Sequence, residues 1–229
     1  MKEMPFLWVG WTGAFVSTKE SQEEIKSRLS DEFNNVPVFL TESVADLFYN
    51  GFCNDILWPL FHYVPLPVLN TQGERKFDPK FWTAYRVANS EFAKVITSIY
   101  QPGDLVWVQD YHLMMLPSLL RQAIPDIRTG FFLHTPFPSS DVFSVLPVAS
   151  SLLRGVLEAD LIGFHTYDYA HHFLSACSRL LGLECSHKGV DCSSGDSEVS
   201  EQLPHFSHVG IFPIGIDPSS FHKALETKA

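Results

Sequence analysis

Basic residues are scarce in this sequence: 16 Lys and Arg stand against 26 Asp and Glu in 229 residues, a formal charge of −10. A chain so short of positive charge lacks the face through which nucleic-acid binders neutralise phosphates, which excludes nucleic acid as a partner. Cysteine is also sparse. Cys53, Cys177, Cys185 and Cys192 show no CxxC spacing. A domain this large needs no disulfide staples, so reduced thiols in a cytoplasmic protein are expected. The start, Met1-Lys2-Glu3-Met4-Pro5-Phe6, has no basic stretch leading into an apolar one, and the longest apolar runs are broken by Pro, Gly, Asp or His. Neither a secretory signal nor a membrane span is expected. No HExxH, no Cys/His cluster of standard spacing and no internal repeat is present.

Apolar material is plentiful: 45% of the chain is hydrophobic, with 19 Phe, 7 Tyr and 5 Trp. That suffices for one large core, and a single domain over 1–229 is expected. Short apolar runs alternate with amphipathic stretches, the βαβ pattern of a parallel sheet with helices on both faces. The strand candidates are Phe6–Val9, Val36–Leu40, Leu105–Gln109, Thr129–Leu133, Leu161–Phe164 and His208–Phe212. Ser17-Thr18-Lys19-Glu20 has capping-box spacing and opens a polar helix to about Phe33. Asp78-Pro79 supplies an N-cap and an N1 proline for a long helix, along which Phe81, Tyr85, Ala88, Phe92, Val95 and Ile99 form a core stripe. Residues 186–207, rich in Ser, Asp, Glu, Gly and His, read as a surface insertion or loop.

Three strand candidates end in polar, ionisable residues: Gln109-Asp110-Tyr111-His112, His134-Thr135-Pro136 and His165-Thr166-Tyr167. Parallel strands share one carboxyl edge, where ligands of open α/β sheets sit, so Asp110, His134 and His165 are expected close together there. An ionised Asp110 is a strong acceptor for a hydroxyl about to become a nucleophile. The same residues with His112 are also of types suited to zinc or iron, and a metal-dependent hydrolase is the alternative this leaves open. Aromatic residues beside polar turns form a second group: Trp11 between Gly10 and Gly13, Tyr49 in Tyr49-Asn50-Gly51-Phe52, and Trp58 in Leu57-Trp58-Pro59-Leu60-Phe61-His62-Tyr63. Flat aromatic faces with polar edges suit a sugar ring, and the three are expected to border one cleft.

These strings, with Val106-Trp107-Val108-Gln109-Asp110-Tyr111-His112-Leu113, Gly130-Phe131-Phe132-Leu133-His134-Thr135-Pro136-Phe137-Pro138, Asp160-Leu161-Ile162-Gly163-Phe164-His165-Thr166 and Pro213-Ile214-Gly215-Ile216, resemble the trehalose-6-phosphate synthases in order and spacing. The resemblance implies a GT-B enzyme of two Rossmann-like domains, of which this chain is the N-terminal, acceptor-side one. It implies transfer of glucose from UDP-glucose to glucose 6-phosphate, with retention and with neither metal nor cofactor. Trp11, Tyr49, Trp58 and Tyr111 match residues of the glucose 6-phosphate site. Asp110 and Tyr111 match residues at the junction of acceptor and donor sugar and His134 a residue beside the donor glucose, while His165 is expected at the cleft edge. The resemblance also implies a first strand with a phosphate-binding Arg and a Gly-Gly loop before Leu7, and a C-terminal nucleotide-sugar domain. Both are expected to be absent here, leaving the isolated chain inactive. His171 stands where related members have Arg. A non-catalytic regulatory or sugar-phosphate-binding relative, able to assemble with other subunits, would keep the same strings.

Overall fold

The structure, a computed structural model, describes residues 6–64, 77–193 and 205–226. It opens with a two-stranded parallel sheet, β1 (Trp8–Trp11) beside β2 (Asn35–Val38), joined by helix α1 (Lys19–Phe33). The α1 cap falls on Thr18, whose hydroxyl accepts from the Ser21 amide at 3.2 Å, one residue later than the Ser17 to Glu20 spacing implies. Both strands begin later or earlier than their apolar runs suggest, because pairing starts where the Trp8 amide meets the Asn34 carbonyl. After α2 (Glu42–Ala45), a π-helical stretch over Asp46–Leu57 leads into α3 (Trp58–Phe61).

Helix α4 (Pro79–Ile99) starts as the sequence implies, with the Asp78 carboxylate accepting from the Lys80 amide at 2.9 Å and Pro79 in the first turn. Its buried stripe is Ala84, Tyr85, Ala88, Asn89, Phe92, Ala93 and Ile96. Phe81, Val95 and Ile99 are only partly covered. Then follow β3 (Leu105–Gln109), a 3₁₀ turn over Tyr111–Leu113, α5 (Leu116–Ala123), β4 (Arg128–Leu133), α6 (Ser140–Phe143), α7 (Ala149–Leu157), β5 (Leu161–Phe164) and α8 (Tyr167–Leu181). The chain continues through β6 (Glu184–Ser186), β7 (Gly189–Asp191), β8 (Phe206–Ile211) and α9 (Ser219–Glu226).

The second sheet has six strands in the order β3-β4-β5-β8-β7-β6. The first four run parallel; β7 pairs antiparallel with both β8 and β6. The loop expected over 186–207 is corrected at its start, where Ser186 to Asp191 belong to a hairpin that extends the sheet. Cross-strand bonds outweigh the local polarity of this segment: the Cys192 amide reaches the His205 carbonyl and the Val209 amide the Lys188 carbonyl. Residues 194–204 lie outside the described ones.

One face of the sheet packs on helices. Val108, Phe131, Leu133, Ile162 and Phe164 share a buried cluster with Leu120 of α5, Leu153 of α7 and Phe173 of α8. The parallel sheet with helices packed on it is the α/β architecture expected from the alternating pattern. Side chains alternate along β3, so Val108 is 2% exposed while Leu105 and Trp107 are 70% and 66% exposed. No described helix is long and apolar enough to cross a membrane.

Candidate active site

The parallel strands β3, β4 and β5 deliver Asp110, His134 and His165 to one edge, as their spacing implies. Asp110 follows β3 with φ 67° and ψ 174°, a backbone region sparsely entered by side chains other than glycine's. The turn is over-determined by its surroundings. Its own amide donates to the Phe132 carbonyl at 2.7 Å, and its carboxylate Oδ1 accepts from the His134 amide at 3.2 Å. Behind it, the fully buried Tyr85 hydroxyl donates to the Tyr111 carbonyl at 2.8 Å and accepts from the Met114 amide at 2.9 Å. Asn89 Nδ2 donates to the His112 carbonyl at 3.1 Å. Tyr85, which the sequence assigns simply to the core stripe of α4, and Asn89 one turn on therefore fix the turn that presents Asp110.

The His134 ring lies 4.7 Å from Phe132 and 5.6 Å, edge-on, from His165, centroid to centroid. Its Nε2 is 2.8 Å from Gln109 Oε1. His165 Nδ1 is buried without a partner among the described residues. Gln109, His134 and His165 line a hollow of ≈ 890 Å³ together with Trp107, Phe132 and Phe212.

The aromatic residues form an arc that runs through Tyr111 and His112, the two residues after Asp110. Trp11 lies 5.5 Å from Tyr49, Tyr49 stacks on His112 at 5.8 Å, His112 on Tyr111 at 4.0 Å, and Tyr111 lies 6.1 Å from Trp58. Trp11 borders a second hollow of ≈ 590 Å³ with Glu42, Asp46 and Asn50, and its indole nitrogen is buried without a partner among the described residues. Tyr49 and Trp58 are 39% and 48% exposed, open to a ligand.

Tyr111 is only 3% exposed, its ring packed on Phe61 and set between His112 and Trp58. Burial holds its phenol well above the usual range. Burial also lowers the His112 imidazole below its ordinary pKa, the charge of Asp110 pulling weakly the other way, so His112 enters the arc as a neutral ring. Among the described residues no group of three or more His, Cys, Asp or Glu is placed to hold a metal ion. Asp110 and His134 thus form an acceptor and a polar ring beside exposed aromatic faces, chemistry fitted to hydroxyl-bearing ligands.

The sequence missed two contributors, Gln109 and the Tyr85–Asn89 pair. Gln109 could have been found from its place beside Asp110 at a strand end, whereas nothing local distinguishes Tyr85 from any other core tyrosine.

A parallel α/β sheet with polar, ionisable strand ends beside aromatic rings defines a Rossmann-like domain of the GT-B glycosyltransferase kind. More particularly, the chain belongs to glycosyltransferase family 20, whose model matches residues 1–229. The alpha,alpha-trehalose-phosphate synthase [UDP-forming] of Schizosaccharomyces pombe is 51% identical over 230 residues, covering 99% of this chain and 41% of its own length. The corresponding synthase A of Dictyostelium discoideum is 48% identical over 97% of this chain and 28% of its own length. The chain thus spans less than half of either relative.

Among solved structures, the N-terminal domain of a Candida albicans trehalose-6-phosphate phosphatase superposes with TM-score 0.76 and 33% identity over 96% of this chain and 43% of that one. A Burkholderia xenovorans alpha,alpha-trehalose-phosphate synthase in complex with glucose-6-phosphate gives 0.74 and 26% over 100% of this chain and 48% of that one.

Proposed function

We propose that this chain is the acceptor-side half of a retaining glucosyltransferase that moves glucose from UDP-glucose to glucose 6-phosphate, giving trehalose 6-phosphate. The observation that carries the reading is Asp110. It is held in a strained turn, bonded through Oδ1 to the His134 amide, and exposed aromatic faces lie along the adjoining arc. Family membership and the UDP-forming relatives support it.

In this reading Trp11, Tyr49 and Trp58 border the acceptor sugar, and its anomeric hydroxyl donates to the carboxylate of Asp110. Retention requires that hydroxyl to be held against the face from which the diphosphate departs, a positioning task for Asp110 and His134. His165 borders the donor side. The departing diphosphate would be neutralised by basic residues from a C-terminal nucleotide-sugar domain of the same polypeptide, so the reaction calls for neither metal nor cofactor. Four free thiols fit a cytoplasmic setting. The test is Asp110→Asn in a polypeptide carrying the rest of the relatives' length. The amide keeps the shape but is a poorer acceptor, so turnover should fall about 10²–10⁴-fold with the fold intact. Near-normal turnover would remove Asp110 from the mechanism.

A second reading, a non-catalytic regulatory or sugar-phosphate-binding domain, is favoured by the likeness to the N-terminal domain of a protein named as a phosphatase. A full-length wild-type protein that folds, binds both sugars and transfers nothing would select it.

A further inference from the structure

Gln109 closes β3, and His134 follows β4. In the parallel register Gln109 is opposite Phe132. His134, two residues further on, projects from the same face as Phe132, and this brings the two side chains to 2.8 Å. The ring is confined on its other flank by Phe132 and His165. Asp110 holds the backbone of residue 134 while Gln109 holds its side chain, so consecutive residues of one strand end fix both parts of the same histidine.

An amide can face an imidazole in two senses. If its oxygen accepts from Nε2–H, the neutral ring keeps Nδ1 as a bare acceptor. If its NH₂ donates to a bare Nε2, the proton sits on Nδ1, which becomes a donor. Here the amide oxygen faces the ring. A carboxylate at 109 could accept the same proton but would set a second negative charge beside Asp110. A hydrocarbon would leave the ring free to turn about χ2, where the energy wells are broad.

We propose that Gln109 is a positioning residue of this site: its amide oxygen holds the imidazole proton of His134 on Nε2, leaving Nδ1 to accept a hydrogen bond from a sugar hydroxyl. The sugar rests on the glycosyl-transfer reading; the Gln109–His134 lock is a property of this chain alone.

The chain labelled with ¹⁵N-histidine tests both parts by NMR. A bonded Nε2 proton of His134 should give a slowly exchanging signal. Gln109→Met, similar in length but with only a weak thioether acceptor, should abolish it. Gln109→Glu, which restores an acceptor oxygen, should bring it back. The signal of His205, whose Nε2 lies 2.6 Å from the Leu157 carbonyl, should persist in every variant and so reports an intact fold. A proton found on Nδ1 in the unaltered chain, or an Nε2 signal that survives Gln109→Met, would overturn the lock. In a polypeptide that also carries the rest of the relatives' length, addition of UDP-glucose should then move the Nδ1 resonance of His134. A lock that behaves as described with Nδ1 unmoved at saturating UDP-glucose overturns the sugar contact, and with it counts against glycosyl transfer.

Discussion

Asp110 holds a backbone conformation, φ 67° with ψ 174°, that costs a residue with a side chain about 1–3 kcal/mol. Asp110→Ala keeps that strain and loses the bond to the His134 amide, whereas Asp110→Gly loses the bond but relieves the strain. The Gly variant should therefore be the more stable of the two by about 1–3 kcal/mol, the reverse of their order at an ordinary strand position. Urea midpoints decide it, and an Ala variant as stable as the Gly one would show the turn to be relaxed. His112 yields a pH dependence of known sign. Its pKa in the fold lies below the unfolded value of about 6.5, so the unfolded chain takes up the proton first as pH falls. The stability it contributes is fully present above about pH 6.5 and is lost as pH falls through the depressed value. Melting temperatures taken from about pH 7.5 to about pH 5 should consequently drop less for His112→Gln than for the native chain.

At the scale of elements, the helices and central strands were readable because their signals are local. Asp78-Pro79 caps α4 whatever lies elsewhere, and the apolar runs of β3 and β5 match their strands residue for residue. The π-helical stretch over Asp46–Leu57 was not legible, since no composition rule marks a wider turn, yet it carries Tyr49 and feeds Trp58 into the site. The hairpin of β6 and β7 escaped notice because its strands are short and polar and exist through pairing with β8. Gly189 is its weak point, for a Cβ there would run into the Ser207 carbonyl oxygen, backbone that cannot swing aside. Gly189→Ala should detach the hairpin from β8. Amide exchange of Val209 and Cys192 should speed up while α4 stays protected. Unchanged protection would mean that the sheet yields elsewhere.

The whole molecule presents an edge of chemically suited residues and, alongside it, a sheet face that leaves Leu105 and Trp107 in solvent. In the transfer reading much of the transition-state stabilisation comes from charges on the second domain, and losing one such preorganised donor lowers turnover by about 10²–10³-fold. The 229-residue chain alone is accordingly expected to make no detectable trehalose 6-phosphate from UDP-glucose and glucose 6-phosphate. It should bind glucose 6-phosphate weakly, since charge-assisted bonds to Arg or Lys supply much of a sugar phosphate's affinity. A radiolabelled-product assay and calorimetric titration check the pair. Micromolar binding unchanged by Trp58→Ala would put the site elsewhere.

The sequence by itself determined that Asp110, His134 and His165 share an edge. Apolar strand runs alternating with helices force a parallel sheet, and a parallel sheet has one carboxyl end. It also led to the expectation that Trp11, Tyr49 and Trp58 border one cleft, from aromatic residues set beside polar turns. Only the tertiary structure decided which of these side chains water still reaches. Tyr111 and Trp58 are both aromatic residues beside polar turns. Tyr111 is sealed by Phe61, fifty residues earlier in the chain, while Trp58 stays half open. The pairing of Gln109 with His134 likewise spans two strands, and its partner is set by register rather than by neighbours in the chain.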